Sequence, residues 1–343
     1  MNSSVSSYYN KPFSHIYVER EILEHPRTKQ ILSRFPQSRI VEVGHYKDVF
    51  SAPHQAVGRQ HRAQSLILAA KHGQLIYHGS PVCQDFGNEF FYYTSCVMNC
   101  IYDCEYCYLK GMYESGHMVI FVNLEDYFTE LRSMLQEHPV YLCISYDTDL
   151  AALEGVTGYL REWIAFALEE PNLTIEVRTK CASMELWEKL PVCDRMIYAF
   201  TISPREIAAR IEHFAPASGL RLKAASAALD LGHRVRLCFD PMLHVPDWKE
   251  KYADLVTEAA ETLDLEKLYD VSVGCFRISK SYLKHMRKAD PRSAVVQYPY
   301  TLEEGFYSYP GSMRREMEDY MCDLLYAYMD RKKIYLVEER EDL

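Results

Sequence analysis

Four cysteines lie close together in the segment CVMNCIYDCEYC, at positions 96, 100, 104 and 107. Cys100, Cys104 and Cys107 have the spacing C-x3-C-x2-C, which lets three thiolates of one loop point at a common centre. Soft thiolate ligands select iron–sulfur clusters, zinc or Cu(I). Three protein ligands on a [4Fe–4S] cluster would leave one iron open for a cofactor or substrate. Cys96 cannot start the same spacing, because Asp103 stands where a third cysteine is needed, so Cys96 is expected to pack on the preceding strand.

A structural zinc site is the alternative use of these thiols, with Cys96 as the fourth ligand. Such sites usually combine two C-x2-C pairs that stand well apart in the chain. The sequence has no second pair of that kind. The spacing therefore favours an iron–sulfur cluster, while a non-catalytic metal-binding interaction protein stays open as an alternative.

Length and composition restrict the class of protein. The chain has 343 residues, of which 48% are hydrophobic, enough for one large core with terminal additions. No apolar run is long enough to cross a membrane, and the N-terminus lacks the pattern of a signal peptide. The eleven cysteines are scattered, whereas a disulfide framework is typical of short secreted chains. A cytoplasmic protein with metal-binding or catalytic thiols is expected.

The charge of the chain is acidic overall but basic in one segment. The formal net charge is −10, yet RISKSYLKHMRKADPR (277–292) carries six basic residues against one acid. An anionic partner such as nucleic acid could bind this segment. A solvated helix face is the other interpretation of the same pattern.

Apolar segments alternate with amphipathic segments through the middle of the chain. The predicted strands are 89–95, 140–145, 173–179, 196–203, 234–240 and 269–276. The predicted helices are 124–138, 153–170, 183–190, 219–232 and 247–264. This alternation indicates an α/β fold with parallel strands and crossover helices.

The strands also indicate how the sheet is covered. In 140–145, 173–180 and 234–240, one face is apolar and the other carries polar or charged residues. A parallel strand with helices on both faces would be apolar on both. A partial (β/α)6 TIM-like barrel with a polar lumen is therefore favoured over a doubly wound sheet, and its site residues belong at the C-terminal strand ends. These ends hold 143–145, 179–180, 201–203 and Asp240.

Three regions are predicted along the chain. Residues 1–88 form an N-terminal extension, with two strands around a Lys-His-Gly turn in 65–79. Residues 89–280 form the barrel. Residues 281–343 form a C-terminal substrate-binding and helical region, with a hairpin near FYSYP (306–310), a helix at 312–333 and a strand at 334–339.

The cysteine segment resembles a known family. Tyr106 and Tyr108 flank Cys107 in CEYCYL, and Cys143 ends the second barrel strand in LCISYDTD. This combination is similar to spore photoproduct lyase, a family of the radical S-adenosylmethionine superfamily. The resemblance runs from FYYTSCVMNC (91–100) to FRISK (276–280) and continues more faintly to both ends.

The resemblance implies a DNA repair lyase that reverts 5-thyminyl-5,6-dihydrothymine to two thymines. A reduced [4Fe–4S] cluster on the three spaced cysteines would split S-adenosylmethionine, and the 5′-deoxyadenosyl radical would take a hydrogen from C6 of the lesion. Cys143 would donate a hydrogen atom to the product thymine radical. Tyr106 and Tyr108 would help to return a hydrogen to deoxyadenosine.

The resemblance also implies binding residues and partners. The Gly-Gly-Glu motif common in the superfamily is absent, and Ser145, Lys180 and Thr201 are the expected contacts to S-adenosylmethionine. Ultraviolet-damaged DNA would be bound as a flipped dinucleotide, and flavodoxin or ferredoxin would supply the electron. The expected DNA contacts are Arg277, Lys280, Lys284, Arg287 and Lys288. The hairpin TLEEGFYSYPG departs from the basic hairpin of better-known members.

A related radical enzyme with a different substrate is the main alternative. The net negative charge of the chain favours a peptide, an RNA or a small molecule as the substrate. Non-specific affinity for DNA depends on how many phosphates the protein neutralises, and an acidic chain neutralises few. The combination of Tyr106, Tyr108 and Cys143 favours the DNA lesion instead.

Overall fold

A computed structural model describes residues 13–80 and 83–336 of the chain. Its strands are β1 (His15–Glu19), β2 (Arg39–Val43), β3 (Leu66–Ala69), β4 (Ile76–His78), β5 (Phe91–Thr94), β6 (Val97–Met98), β7 (Asp103–Cys104), β8 (Met118–Phe121), β9 (Val140–Cys143), β10 (Leu173–Thr179), β11 (Met196–Thr201), β12 (Glu212–His213), β13 (Arg234–Met242), β14 (Asp270–Cys275), β15 (Arg277–Ser279), β16 (Thr301–Glu303), β17 (Phe306–Ser308) and β18 (Ile334–Leu336). Its α-helices are α1 (Pro26–Ser33), α2 (Lys47–Phe50), α3 (Val57–Gln60), α4 (Leu109–Met112), α5 (Leu124–Leu135), α6 (Glu154–Thr157), α7 (Tyr159–Glu169), α8 (Met184–Lys189), α9 (Arg205–Ile211), α10 (Ser218–Asp230), α11 (Trp248–Thr262), α12 (Lys280–Ala289), α13 (Ala294–Gln297) and α14 (Gly311–Leu325).

The largest sheet has eight strands in the order β18-β14-β13-β11-β10-β9-β5-β4. The six strands predicted from the alternation stand side by side in chain order, and every neighbouring pair among them is parallel. β18 adds in parallel at one edge and β4 adds antiparallel at the other, so the sheet is mixed. The fold is therefore mixed α/β, with helices connecting consecutive parallel strands as the sequence indicated.

The connecting helices match the predicted ones, with one interruption. The segment predicted as a single helix at 153–170 contains α6 and α7, which meet at Gly158. Gly158 has a φ of 70°, a left-handed conformation that glycine adopts without steric cost. Glycine therefore ends the first short helix and starts the second in a new direction.

A second sheet has five strands in the order β2-β1-β3-β8-β6. It combines the N-terminal strands with two strands that flank the cysteine segment. The two strands predicted in 65–79 exist, but they do not pair with each other: β3 lies between β1 and β8, while β4 pairs with β5 in the larger sheet. The physical reason is burial, because all four residues of β3 are buried and the strand needs a partner on each side.

The C-terminal region contains the expected hairpin. β16 and β17 pair antiparallel around Glu304 and Gly305, which have φ values of 48° and 87° as a two-residue turn with positive φ requires. The predicted helix at 312–333 is too long, since α14 ends at Leu325. Asp330 accepts a hydrogen bond from the Lys332 amide and starts a separate short turn. β18 covers the first half of the predicted strand at 334–339, and 337–339 lie outside the described residues.

None of the helices in the described part of the chain combines the length and the apolar character that crossing a membrane requires.

Candidate active site

The three spaced cysteines lie in the loop that connects β6 to α4. The side-chain amide of Gln64 donates to the carbonyl of Cys100 (3.0 Å) and holds the start of the loop. Asn99 adopts a φ of 69°, and its amide donates to the carbonyls of Ser115 (2.6 Å) and His117 (2.7 Å). The loop is thus tied to the five-stranded sheet on one side.

A short antiparallel pairing of β7 with β12 holds the loop on its other side. Cys104 stands opposite Glu212, and the amide of Glu105 donates to the carbonyl of Ile211 (2.9 Å). The amide of Cys107 donates to the carbonyl of Cys104 (3.1 Å), which closes a tight turn between the last two cysteines. The C-x2-C spacing is therefore built into a hydrogen-bonded turn.

The cysteines present fit an iron–sulfur cluster. All eleven cysteines lie in the described part of the chain, and none is joined in a disulfide. Among the described residues, no three His, Cys, Asp or Glu side chains converge tightly enough for a single ion. A cluster spreads its ligands over several irons, so its cysteine sulfurs stand farther apart than the ligands of one zinc. Three thiols of one anchored loop are the donor set that a cluster requires.

Cys96 is separate from this set. It is completely buried, and burial raises its pKa to about 12. Its position before β6 agrees with the expectation that it packs in the core.

Tyr106 faces a buried carboxylate. Its hydroxyl donates to Glu212, which also accepts hydrogen bonds from Ser203 (3.0 Å) and from the guanidinium of Arg221. Lys180 lies over the Tyr106 ring, with Nζ 5.3 Å from the ring centroid. Although burial by itself raises the pKa of Glu212, Arg221 and Lys180 hold it below its ordinary value. Glu212 is therefore an anion that fixes the orientation of the Tyr106 phenol.

Tyr108 points to a different part of the site. Its hydroxyl donates to the carbonyl of Tyr146, and Asp147 Oδ1 lies 3.5 Å away. Asp147 is nearly fully buried and accepts hydrogen bonds from Tyr113 (2.8 Å) and Ser95. The structure thus attaches the residue after the last spaced cysteine to the segment that directly follows β9.

Cys143 is the last residue of β9 and lies beside this segment. It is 5% exposed and stands next to Glu176 in the parallel ladder. Burial, followed by the charge of Glu176, raises the pKa of Cys143 well above its ordinary value. Tyr146, three residues on, stacks on Tyr93 with 4.0 Å between ring centroids, and its hydroxyl lies 3.5 Å from Cys83 Sγ. Cys143 is therefore a protonated thiol in a pocket of aromatic rings.

The polar face of the sheet forms a buried ion-pair network deeper in the fold. Arg236 is completely buried and donates to both oxygens of Asp270, to Glu176 and to the hydroxyl of Tyr141 (2.7 Å). Its guanidinium carbon stands 3.2 Å from the centroid of the Phe86 ring. Glu176 and Arg236, which the sequence placed on polar strand faces, are thus paired with each other, and Asp270 of β14 joins them.

A second layer of charge stands nearer the strand ends. Asp240 accepts hydrogen bonds from Arg277 (3.0 Å) and Arg178 (3.4 Å). Burial alone would raise the pKa of Asp240, but the two guanidinium groups hold it below its ordinary value. Arg178 is partly exposed and carries its charge next to Cys143. An anionic group bound at this layer would lie near the positive charge of Arg178 and near the thiol of Cys143.

The residues predicted to contact S-adenosylmethionine lie at strand ends, as expected, in different surroundings. Lys180 is the one that the structure brings to the spaced cysteines: burial lowers its pKa, but Cys104 and Glu212 raise it above the ordinary value. Ser145 donates to the carbonyl of Arg178 (2.8 Å). Thr201 is buried and its carbonyl accepts from Arg221. Their contacts to a cofactor remain predictions.

The residues predicted to contact DNA divide into two groups. Lys280 and Lys284 are exposed on α12. Arg277 is paired with Asp240, and Arg287 donates to the carbonyls of Val296 (2.7 Å) and Tyr298 (2.8 Å). Contact of any of them with phosphate stays a prediction.

Several polar residues of the site did not emerge from the sequence. Asp147 and Asp149 follow β9, where the position of two acids after a strand was a usable signal. Asp149 accepts hydrogen bonds from the Thr179 hydroxyl (2.8 Å) and the Lys180 amide (2.6 Å), and so fixes the end of β10. Glu212 and Arg221 gave no signal, because their pairing depends on the tertiary contact of β12 with α10.

A sequence model of the spore photoproduct lyase family matches residues 11–301. The chain belongs to the spore photoproduct lyase family. Residues 104–109 and Cys143, which carried the resemblance, lie inside the matched range. A search of curated proteins gave no match.

Solved structures of spore photoproduct lyase share this fold. A variant with bound AdoMet and dinucleoside spore photoproduct has a TM-score of 0.80 at 19% identity, covering 96% of this chain and 100% of the other. A cysteine-to-alanine variant with dinucleoside spore photoproduct has a TM-score of 0.81 at 20% identity, covering 96% and 99%. At these identities the likeness concerns the fold.

Proposed function

We propose that this protein is a radical S-adenosylmethionine lyase that reverts the spore photoproduct to two thymines. One observation carries the proposal: Tyr108, beside the last spaced cysteine, donates its hydroxyl to the segment that directly follows Cys143. This contact supports placing the cofactor loop and the buried thiol in one site. Membership of the spore photoproduct lyase family supports the same reaction, as do the relatives whose structures hold AdoMet and dinucleoside spore photoproduct.

The cofactor set of the family fits the residues of this chain. Cys100, Cys104 and Cys107 would hold a [4Fe–4S] cluster, with Lys180 at its edge. When bound, the reduced cluster and S-adenosylmethionine supply a 5′-deoxyadenosyl radical. The protein's contribution is to position the lesion and to exclude competing hydrogen donors.

Cys143 is placed to end the reaction on the lesion. Its raised pKa keeps the hydrogen on sulfur at neutral pH, and only the thiol form can give a hydrogen atom to a thymine radical. The S–H bond breaks, a C–H bond forms on thymine, and a thiyl radical remains on Cys143. The Tyr108 hydroxyl contacts the carbonyl of Tyr146, three residues after Cys143, and this phenol would return a hydrogen atom to sulfur. Tyr106, held by Glu212, would act after it.

The finer architecture belongs to the same proposal. We infer that the six parallel strands curve as a partial (β/α)6 barrel over residues 89–280, with the ion-pair network of Arg236 and Glu176 in its lumen. The buried charges on one face of β10 and β13 support this arrangement, because charged groups inside a protein need partners on the same face. Residues 1–88 and 281–343 would flank the barrel.

Ultraviolet-damaged DNA is the proposed substrate, bound through the exposed lysines of α12. Lys280 and Lys284 lie on one side of that helix and could contact phosphates flanking the lesion. The acidic hairpin of β16 and β17 would contribute through Phe306 and Tyr307, which are partly buried, rather than through charge. A cytoplasmic location and an electron-carrying protein partner complete the proposal.

The decisive assay combines reconstituted enzyme, dithionite, S-adenosylmethionine and a synthetic spore-photoproduct dinucleotide without oxygen. We expect the wild type to produce thymidylyl-thymidine. A Cys143→Ala variant should still consume lesion, but with most of the product trapped by external quenchers, because the thiol hydrogen is lost. Chromatography with mass detection measures both product fractions.

Cys238→Ala is the matched control for this variant. Cys238 is also buried, at the middle of β13, and its side chain adjoins Arg178 as that of Cys143 does. Clean repair should persist in it. Clean repair by Cys143→Ala would remove Cys143 from the mechanism, while cofactor cleavage without lesion loss in the wild type would favour the alternative substrate.

The raised pKa of Cys143 predicts how the fraction of lesion converted to thymines depends on pH. A thiol with an ordinary pKa of about 8.5 would lose its hydrogen as pH rises through that value. Because the pKa of Cys143 is well above it, the fraction of lesion converted to thymines should stay constant between about pH 7 and 9. Product ratios at fixed conversion measure this. A decline centred near the ordinary value would contradict the buried, protonated state.

A further inference from the structure

We propose that the groove along the outer side of the cysteine loop is the docking surface for a small acidic protein that carries one electron. The inference rests on the proposed function, because that chemistry needs a reduced cluster, and it adds where the reductant binds and through which residues. Neither the family match nor the assignments above place a partner there.

The groove has a volume of about 2070 Å³ and runs directly beside the cluster ligands. Asp103 and Glu105, the neighbours of Cys104, line its floor. Its walls come from residues 53–62, from residues 205–223 and from residues 285–293. A protein seated in it would contact the backbone on both sides of a predicted cluster ligand, as electron transfer over a short distance requires.

The groove is separate from the place where the lesion would react. Cys143, Arg178 and Asp240 are not among its lining residues. Of the residues predicted to contact DNA, the groove lining includes Lys288 but not Arg277, Lys280, Lys284 or Arg287, so an electron carrier bound there would leave the reacting lesion accessible.

Four exposed cations on the walls are available to a partner: Arg59, Lys223, Lys288 and Arg292. None of the four forms an ion pair with any residue that the structure describes. They come from all three walls, so they surround the loop. Cations at the edge of an interface accelerate association with an acidic partner and make it sensitive to salt.

The acidic residues in the same groove favour a protein over a DNA duplex as the binding partner. Asp103, Glu105, Glu114, Glu258 and Asp290 also line the groove. Three of them are paired within the protein: Asp103 with Lys110, Glu105 with His213 and Glu258 with Arg205. A continuous row of phosphates would meet Glu114 and Asp290, whereas a protein surface can place its own cations opposite them. An acidic carrier protein with a mixed surface is the partner whose charge complements this pattern.

The redox step is a single electron transfer. The flavin hydroquinone of a flavodoxin loses one electron and becomes the semiquinone. The cluster that Cys100, Cys104 and Cys107 would hold would accept that electron, and no bond would be made or broken. A flavodoxin is therefore the probe for the test, in its reduced form.

The test reverses two cations from opposite walls, Arg59→Glu and Lys223→Glu, in the reconstituted holoenzyme. We expect the Kd for flavodoxin, measured by biolayer interferometry at low salt, to rise by about tenfold. Wild-type binding should weaken as salt is added and variant binding should depend less on salt. Flavodoxin-driven cofactor cleavage should slow in parallel, while dithionite-driven cleavage stays at the wild-type rate.

The matched control reverses two exposed cations away from the groove, Arg34→Glu and Lys332→Glu, and makes the same change in net charge. The control should bind flavodoxin as the wild type does. Equal weakening in both variants would overturn the proposal, because net charge alone would then explain it. Absence of flavodoxin binding by the wild type would overturn it as well.

DNA in the groove is a distinguishable outcome. If the groove held the duplex, the Arg59→Glu, Lys223→Glu variant would bind a lesion-containing duplex less tightly and keep its affinity for flavodoxin. Failure of the proposed function shows separately, as absence of cofactor cleavage with dithionite in the wild type, while the binding measurement does not depend on turnover.

Discussion

Cys104→Ala is expected to remove the iron–sulfur cluster and, with it, all cleavage of S-adenosylmethionine. Cys104 is the middle residue of the three spaced cysteines and is held in place by the pairing of β7 with β12. Two remaining thiolates cannot fill three ligand positions on a cluster. Iron and acid-labile sulfide after anaerobic reconstitution should fall from about four of each per chain to below about one.

Cys96→Ala is the control, since it removes another buried cysteine of the same segment. Cys96 is completely buried and is not in the spacing that binds a cluster. Its loss should leave iron content and cofactor cleavage unchanged and lower the free energy of unfolding by about 1 kcal/mol, the cost of a small cavity. Loss of iron in Cys96→Ala, with iron retained in Cys104→Ala, would contradict the ligand assignment.

Arg236→Leu is expected to cause the largest loss of stability. Leucine keeps part of the apolar contact with Phe86 but leaves Glu176 and Asp270 buried without their shared cation. Breaking a buried ion pair by removing one partner costs about 3–5 kcal/mol. Urea unfolding followed by circular dichroism should show a matching fall in the free energy of unfolding.

Arg132→Leu is the matched control for this change. Arg132 also binds two carboxylates, Glu169 and Glu170, but its side chain is 50% exposed. Its loss should cost less than about 1 kcal/mol. Adding Glu176→Gln and Asp270→Asn to Arg236→Leu should recover about 2 kcal/mol, because the uncompensated charges are then gone. A triple variant no more stable than the single one would assign the loss to packing instead.

The order of elements in the larger sheet could be predicted from the sequence. Consecutive strands joined by helical crossovers usually become parallel neighbours in one sheet. The pairing of β3 and β4 could not be predicted in this way. A short segment of two strands around a turn indicates a hairpin, but β3 is buried on both sides and is held by β1 and β8 instead.

The candidate site also has a part that could be predicted from the sequence and a part that could not. Cys100, Cys104, Cys107, Tyr106, Tyr108 and Cys143 were all identified from local spacing and family resemblance. Their surroundings were not. The sequence did not indicate that Tyr106 binds Glu212, nor that Tyr108 binds the segment after Cys143. Each of these contacts joins residues far apart in the chain, and local pattern carries no information about such distances.

The sequence by itself predicted the ligands of the cluster and indicated the family of the protein, because a metal-binding loop needs its thiols at short, fixed spacing. Only the tertiary structure decided how the polar face of the sheet is satisfied and which tyrosine contacts the segment after Cys143. Buried charges and phenols take whichever partners the packed strands and helices bring within hydrogen-bonding distance. Arg236 reaches Asp270 on the neighbouring strand β14 and Glu176 on β10, beyond β11, and Arg221 reaches Glu212 across a turn. Those pairings exist only once the sheet has formed.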